Sequence, residues 1–217
     1  MIQVIGLGAG GHAKVIIELI KSLDKYQVVG LLDSDSELWK KEIEGIPVIG
    51  GDDHLTEVFS MGVQHAFIGL GSVGDTNPRK RLFKKAKKNG FQVIDVIHPQ
   101  SIVSPSVELD EGIAIMAGAV INTGSILGKN VLINSGALVE HDCWVGSHVH
   151  VATGAHIAGG VKLEDGVHVG IGASILQKVC VGKNAIIGAG SVVLKDISEG
   201  EVVIGVPANP MKGKADG

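Results

Sequence analysis

From Val103 to Val193 every sixth residue is a branched aliphatic, sixteen in succession, among them Ile115, Ile133, Val151, Val169 and Ile187. A spacing of six matches neither an α-helix, at 3.6, nor an isolated strand, at 2. It is the period of a hexapeptide-repeat β-helix, in which three six-residue rungs close one triangular coil. Four residues after each aliphatic stands a small or β-branched residue, as at Ala119, Ser125, Val131, Ala137, Cys143, Ala155 and Ala173. Both positions are predicted to point into a narrow prism. The residue before the second inward position is predicted to turn a corner. It reads Gly112, Gly118, Gly124, Asn130, Gly136, Asp142, His148, Gly154, Gly160, Gly166 and Gly172, with Asn184 and Gly190 later. Gly and Asn tolerate the positive φ of a tight corner. A set of hairpins would instead need alternation of period 2 and irregular spacing. The phase never slips, so no loop interrupts 103–193.

Residues 1–98 follow another rule. IQVIGLG reads as a buried strand, followed by a glycine turn and a helix with apolar positions Val15, Ile16, Leu19, Ile20 and Leu23. QVVGLLD, IPVIGG, HAFIGLGS and FQVIDVI read as further strands, with helices near DDHLTEVF and over about 78–89. Alternating strands and helices predict a small parallel, Rossmann-like α/β sheet. His98-Pro99 marks the handover, because the residue before proline resists helix. Two domains are therefore expected, 1–98 and 99–217, the second ending in a Pro- and Gly-rich tail that caps the open end of the β-helix.

Composition fits this division. The chain has 217 residues, 32 of them glycine, and only 3% aromatics. Corners need glycine, and a narrow interior excludes large rings. The net charge of −4 implies no general attraction to nucleic acid. Cys143 and Cys180 lack metal-ligand spacing, so no metal is expected, and Cys143 falls on an inward position as a buried thiol. A reduced, cytoplasmic setting is the default. The start reads as a strand rather than a signal peptide, and no apolar run reaches the length of a membrane span.

Two places carry candidate chemistry. Gly6, Gly8 and Gly11 match G-x-G-x-x-G between a strand and a helix, and Asp33 ends the second strand at the spacing of a ribose-binding acid. This context suits a phosphate at a helix N-terminus. With only about 100 residues of α/β sequence, a mononucleotide or nucleotide-sugar fits better than a dinucleotide. His12 either bonds that ligand or lies in solvent at the start of the helix. The basic run RKRLFKKAKKNG reads as a solvated helix face.

The second place is on the coils, where residues 18 apart stack. His150 falls under His168, and His141 under Gly159 with Thr123 below. Titratable residues concentrate on a few rungs as Glu140, His141, Asp142, His148, His150 and His156. A carboxylate beside an imidazole fixes its tautomer, which makes His141 the best general-base candidate. Gly159, one coil away and without a side chain, offers a backbone N–H as an oxyanion donor. Each histidine taken alone reads equally as an exposed polar residue.

Three stretches now carry a resemblance: IGLGAGGHAKV, the segment INSGALVEHDCWVGSHVHVATGAHIAGG, and VVIGVPAN. Together they resemble the sialic acid O-acetyltransferase-like (NeuD/PglD-type) sugar acetyltransferases. The resemblance implies a left-handed β-helix that binds acetyl-CoA, an α/β domain that binds a nucleotide-sugar, and a homotrimer with sites between subunits. It implies His141 as the catalytic histidine with Asp142 as its acid, where the family often has Glu. Asn134 and the second histidine, His150, fall on site positions, the latter toward the cofactor. Gly159 falls on the backbone contact to the thioester carbonyl. The nucleotide site falls on Gly8, Gly10, Gly11, His12 and Asp33. Ser34 interrupts the usual consecutive acids, which weakens uridine recognition. Gly205 and Pro207 match a G-x-P-A near the CoA adenylate end.

The expected activity is N-acetylation of a UDP-linked 4-amino-4,6-dideoxy sugar for bacterial glycan precursors, by direct attack of the amine on the thioester. O-acetylation of sialic acid, and N-acetylation of a GDP- or dTDP-amino sugar, are close rivals. From other classes, an NAD-dependent oxidoreductase with a β-helix for oligomerisation predicts NADH at the glycine turn. A non-catalytic scaffold predicts no role for the histidines.

Overall fold

The computed structural model describes residues 1–211. The chain divides into two compact units, one of residues 1–71 with 77–97, the other of 72–76 with 98 onward.

The first unit holds β1 (Ile2–Leu7), α1 (Gly11–Ser22), β2 (Tyr26–Leu32), β3 (Glu42–Ile43), β4 (Ile46–Gly50), α2 (Leu55–Ser60), β5 (His65–Ile68), α3 (Asn77–Lys88) and β6 (Gln92–Val93). The sheet order is β3-β4-β2-β1-β5-β6. All neighbours are parallel except β3, which pairs antiparallel with β4 through a turn at Glu44 and Gly45, both at positive φ. The short edge strand β3 is not legible in the sequence, because EI is too brief to show a period. FQVIDVI also departs from expectation. It breaks into β6 and a second strand, Val96–Ile97. In α1 the buried face is Ala13, Ile16, Ile17, Leu19 and Ile20, while Val15 is exposed. The core joins Ile5, Leu7, Leu32, Phe83 and Phe91. β1 lies between strands that run outward in opposite order, so its carboxyl end is the topological switch point where α/β sheets bind ligands.

The second unit is a parallel β-helix. Two-residue strands stack with a shift of 18 on three faces: 102, 120, 138, 156, 174 and 192 on one, 108, 126, 144, 162 and 180 on the next, and 114, 132, 150, 168 and 186 on the third. Each rung donates and accepts along the ladder, as in Leu132 N–H to the Val149 carbonyl at 3.0 Å. Every aliphatic of the ladder from Ile115 to Val193 is at most 2% exposed, as the period predicts. The second inward series is at most 4% exposed from Ile113 to Ser191, and Cys143 lies in it. Every sixth residue from Gly112 to Gly190 has a positive φ, including Asp142 at 58°, His148 at 63° and Lys178 at 61°. After the last full rung, Val202–Ile204 continues the stack beside Ile186–Ile187 and pairs antiparallel with Asn209–Pro210. The end of the tail expected to cap the coil, 212–217, lies outside the described residues.

Candidate functional site

The β-helix brings His141, Asp142 and Gly159 together. Nδ1 of His141 is 2.8 Å from Oδ2 of Asp142. An ionised carboxylate only accepts, so Nδ1 carries a hydrogen and Nε2 is the nitrogen whose lone pair the neutral ring would offer. On the coil above, a Cβ built on Gly159 would stand 2.6 Å from that Nε2. On the coil below, one built on Gly124 would stand 2.5 Å from Oδ1 of Asp142. The pair thus sits between two glycines, one on each adjacent coil. Gly159 donates its N–H to no backbone carbonyl among the described residues, and its own carbonyl accepts from Lys178.

The segment that carries the pair is braced from beneath. Ser125, buried one coil below, donates its hydroxyl to the Glu140 carbonyl at 2.9 Å and accepts the Cys143 N–H at 3.2 Å. Asp142 N–H bonds the Thr123 carbonyl at 3.0 Å. Glu140 does not meet the His141 ring; its carboxylate accepts from Nδ2 of Asn122 at 2.9 Å. Burial pushes the Cys143 thiol up, and Sγ lies 3.2 Å from the Ala158 carbonyl, so it serves as a packed, protonated thiol. The side chains of His141 and Asp142 are 59% and 72% exposed in the single chain.

His150 belongs to a different, closed setting. It is 5% exposed and its ring meets His168 edge-on, with centroids 5.0 Å apart. Nδ1 is 2.7 Å from the Ser72 carbonyl and 2.9 Å from the Ser72 hydroxyl. The carbonyl can only accept, so Nδ1 carries the hydrogen and Nε2 faces Nδ2 of Asn134 at 3.3 Å. Asn134 Oδ1 accepts the Ser135 N–H, which fixes the amide orientation. Burial pulls His168 below the usual imidazole range.

In the α/β unit the four glycine positions separate by cause. Gly6 is demanded by the core, because a Cβ would fall 2.5 Å from Leu31 and Phe67. Gly8 has φ +102°, and the turn after β5 presses on it: a Cβ at Gly69 would lie 2.6 Å from the Gly8 carbonyl oxygen. Gly10 and Gly11 meet nothing within 4 Å. No protein atom requires glycine there, at the unsatisfied N-terminus of α1, where Gly10 is the N-cap without a side-chain bond. Open glycines at a helix start leave room for a ligand's close approach. Asp33 is committed on both oxygens: Ala9 N–H donates to Oδ2 at 2.6 Å and Asp35 N–H to Oδ1 at 2.9 Å. It therefore braces the glycine turn.

His12 is not in free solvent. Its Nε2 is buried with no hydrogen-bond partner among the described residues. Burial first, and then the Arg79 charge, hold it down to about 4, so it is neutral. The basic run is a solvated face, with Arg81, Lys84, Lys85, Lys87 and Lys88 exposed, except at Arg79, which is 3% exposed and donates from one nitrogen to the carbonyls of Ile68 and Leu70. Nothing in RKRLFKKAKKNG distinguishes this arginine in sequence. Ser72 was equally illegible, since it meets His150 across 78 residues. Gly124 and Asn122 were within reach of the 18-residue ruler, applied to Asp142 and Glu140. At the far end, Gly205 N–H bonds the Ser191 hydroxyl at 3.1 Å, and Val206–Pro207 is cis.

The family model of the PglD N-terminal domain matches residues 3–86, and that of the bacterial transferase hexapeptide (six repeats) matches 160–195. UDP-N-acetylbacillosamine N-acetyltransferase of Bacillus subtilis (strain 168) is 35% identical over 111 residues, 51% of this chain and 50% of that protein. The chain thus matches about half the length of this curated relative. A histidine-to-alanine variant of GDP-perosamine N-acetyl transferase from Caulobacter crescentus, in complex with CoA and GDP-perosamine, superposes with TM-score 0.91 at 37% identity over 97% of both chains. The acetyltransferase domain of PglB from Neisseria gonorrhoeae FA1090, in complex with acetyl coenzyme A, gives 0.87 at 34% identity over 97% of this chain and 99% of that one. The fold is accordingly a Rossmann-like α/β unit joined to a left-handed parallel β-helix. Over nearly its whole length, the chain belongs to the sialic acid O-acetyltransferase-like (NeuD/PglD-type) nucleotide-sugar acetyltransferases of the hexapeptide-repeat superfamily.

Proposed function

We propose that the protein transfers acetyl from acetyl-CoA to the amine of a UDP-linked 4-amino-4,6-dideoxy sugar. The observation that carries the reading is the His141–Asp142 pair, with Nδ1 bonded to the carboxylate and Nε2 facing the side-chain-free position Gly159. Asp142 orients His141 and stabilises its cation. Nε2 takes a proton from the sugar amine as the nitrogen attacks the thioester carbonyl. The carbonyl oxygen gains charge and is held by the Gly159 N–H. Collapse expels CoA as a thiolate, which takes up the proton from His141. No side-chain nucleophile is needed, because the thioester is already activated. His150, held by Asn134 and Ser72, lines the acetyl-CoA side, and Gly205 and Pro207 hold the adenylate end. Gly8, Gly10, Gly11 and His12 receive the diphosphate, with Asp33 fixing the turn.

The exposure of the His141–Asp142 pair supports a homotrimer in which a neighbouring subunit completes the site. An ion pair in water is weak and screened, whereas one shielded from solvent gains strength. The face bearing Leu138, His156, Ser174 and Val192 holds a shallow, apolar pocket of about 270 Å³ beside Glu140 and Ala158. It is the surface we assign to that contact.

A second reading exchanges the nucleotide. The GDP-perosamine enzyme is 37% identical and the bacillosamine enzyme 35% identical over the stretch it matches, so the likeness supports GDP as well as UDP. The test is a panel of UDP-, GDP- and dTDP-amino sugars with acetyl-CoA, read by release of free CoA thiol. Turnover with a UDP-amino sugar supports the first reading, turnover with only the GDP substrate the second. NADH oxidation or no turnover with any amino sugar refutes both.

A further inference from the structure

Among the described residues the buried charge of Arg79 has no counter-ion. The residue is 3% exposed, and no carboxylate bonds it among the described residues. One guanidinium nitrogen is spent on two carbonyls, and Nε has no partner. Burying an unpaired cation is costly, so proteins pair such charges or reserve them for a ligand. The two carbonyls that Arg79 holds, Ile68 and Leu70, bracket Gly69, whose backbone presses on Gly8. The ring of His12 rests against Gly71, where a Cβ would stand 3.5 Å from its Cβ and Cγ. The Nε2 of His12 is a second buried polar atom without a partner.

We propose that Arg79 is the charge-supplying and positioning residue of the diphosphate site: it clamps the Gly69–Gly71 turn behind Gly8 and His12, and its unpaired charge is neutralised only when a nucleoside diphosphate occupies the glycine cradle. This rests on the nucleotide-sugar reading above. Two shifts agree with it: burial lowers Arg79 to about 10, and Arg79 in turn helps keep His12 neutral. A neutral His12 with its Nε2 unpaired offers a hydrogen bond to the ligand without competing for its charge.

Arg79→Gln keeps a donor for the carbonyls and removes the charge, whereas Arg79→Lys keeps the charge. The measurement is the dissociation constant of GDP and UDP by calorimetry, with KM for each substrate. Arg79→Gln should weaken diphosphate binding and raise KM for the nucleotide-sugar at least about tenfold. KM for acetyl-CoA and kcat should hold within about twofold, and Arg79→Lys should recover most of the affinity. Equal affinities for wild type and Arg79→Gln overturn the proposal and leave the nucleotide-sugar reading intact. Failure of wild type to bind either diphosphate overturns both. Should Arg79→Gln not fold, the wild-type protein decides: inorganic pyrophosphate must raise its melting temperature, uridine and guanosine must not, and Lys84→Gln on the same helix must leave the rise unchanged. No rise overturns the proposal.

Discussion

The Nε2 of His141 lies 2.6 Å from the point where a side-chain carbon on Gly159 would stand. The two residues are 18 apart, one full coil, and the Gly160 N–H to His141 carbonyl bond of 2.9 Å locks that register. Gly159 does not have a left-handed φ, so alanine meets no backbone strain there. Gly159→Ala should therefore fold with an unchanged melting curve and push the imidazole aside. A displacement of about 1 Å at a reacting atom costs on the order of 10²-fold in turnover. Thiol release beside circular dichroism checks this; wild-type turnover would mean that Nε2 is not the working atom.

Asp142 combines a chemical and a conformational demand. Its φ of 58° is left-handed, where Asn is tolerated and Ala is not. Asp142→Asn should keep stability while lowering kcat by about 10- to 10³-fold through loss of the carboxylate charge that holds the His141 tautomer and stabilises its cation. Asp142→Ala should lose comparable activity and also about 1 kcal/mol of stability. Urea midpoints separate the two; equal midpoints for both variants would remove the conformational half of this account.

Protonation of His12 makes a pH signature. Its proton affinity is near the ordinary 6.5 in the unfolded chain and about 4 in the folded one. Between these values the unfolded chain holds more protons, so stability is complete above about 6.5 and is lost as pH falls toward 4. The loss is on the order of 1–3 kcal/mol. His168, lowered by burial, adds slope of the same sign. His12→Gln should flatten the fall in urea midpoint between pH 6.5 and 4 without abolishing it; an unchanged slope would contradict the burial of His12.

Lys178 occupies a left-handed corner where most of its counterparts are glycine, with φ of 61°. Lys178→Gly should raise stability by roughly 1 kcal/mol, less its entropic cost in the unfolded chain. A chemical denaturation midpoint that falls instead would show that the Lys178 stem, packed near Gly160, outweighs the strain.

Much of this was legible in the chain because the β-helix is periodic. A period of six names the inward residues, and its triple names the vertical neighbours. Hence the spacing alone sets His141 under Gly159 and His150 under His168. What was hidden is non-periodic. Ser72 reaches His150 from a segment that the chain contributes to the β-helix unit out of sequence order. Arg79 looks like its basic neighbours, and only the turn of α3 decides that it is buried. Asp33 stands at the position of a ribose acid, and it also accepts from Ala9 N–H, 24 residues away, and from Asp35 N–H in a local Asx bond, contacts that composition cannot announce.

The central claim is that His141 is the base in acetyl transfer to a nucleotide-linked amine. The direct measurement is kcat of His141→Ala with the best amino-sugar of the panel and saturating acetyl-CoA, by thiol release, on protein shown to melt like wild type. The account predicts a fall of about 10²–10⁴-fold with little change in KM for either substrate. Turnover within a few-fold of wild type would contradict it.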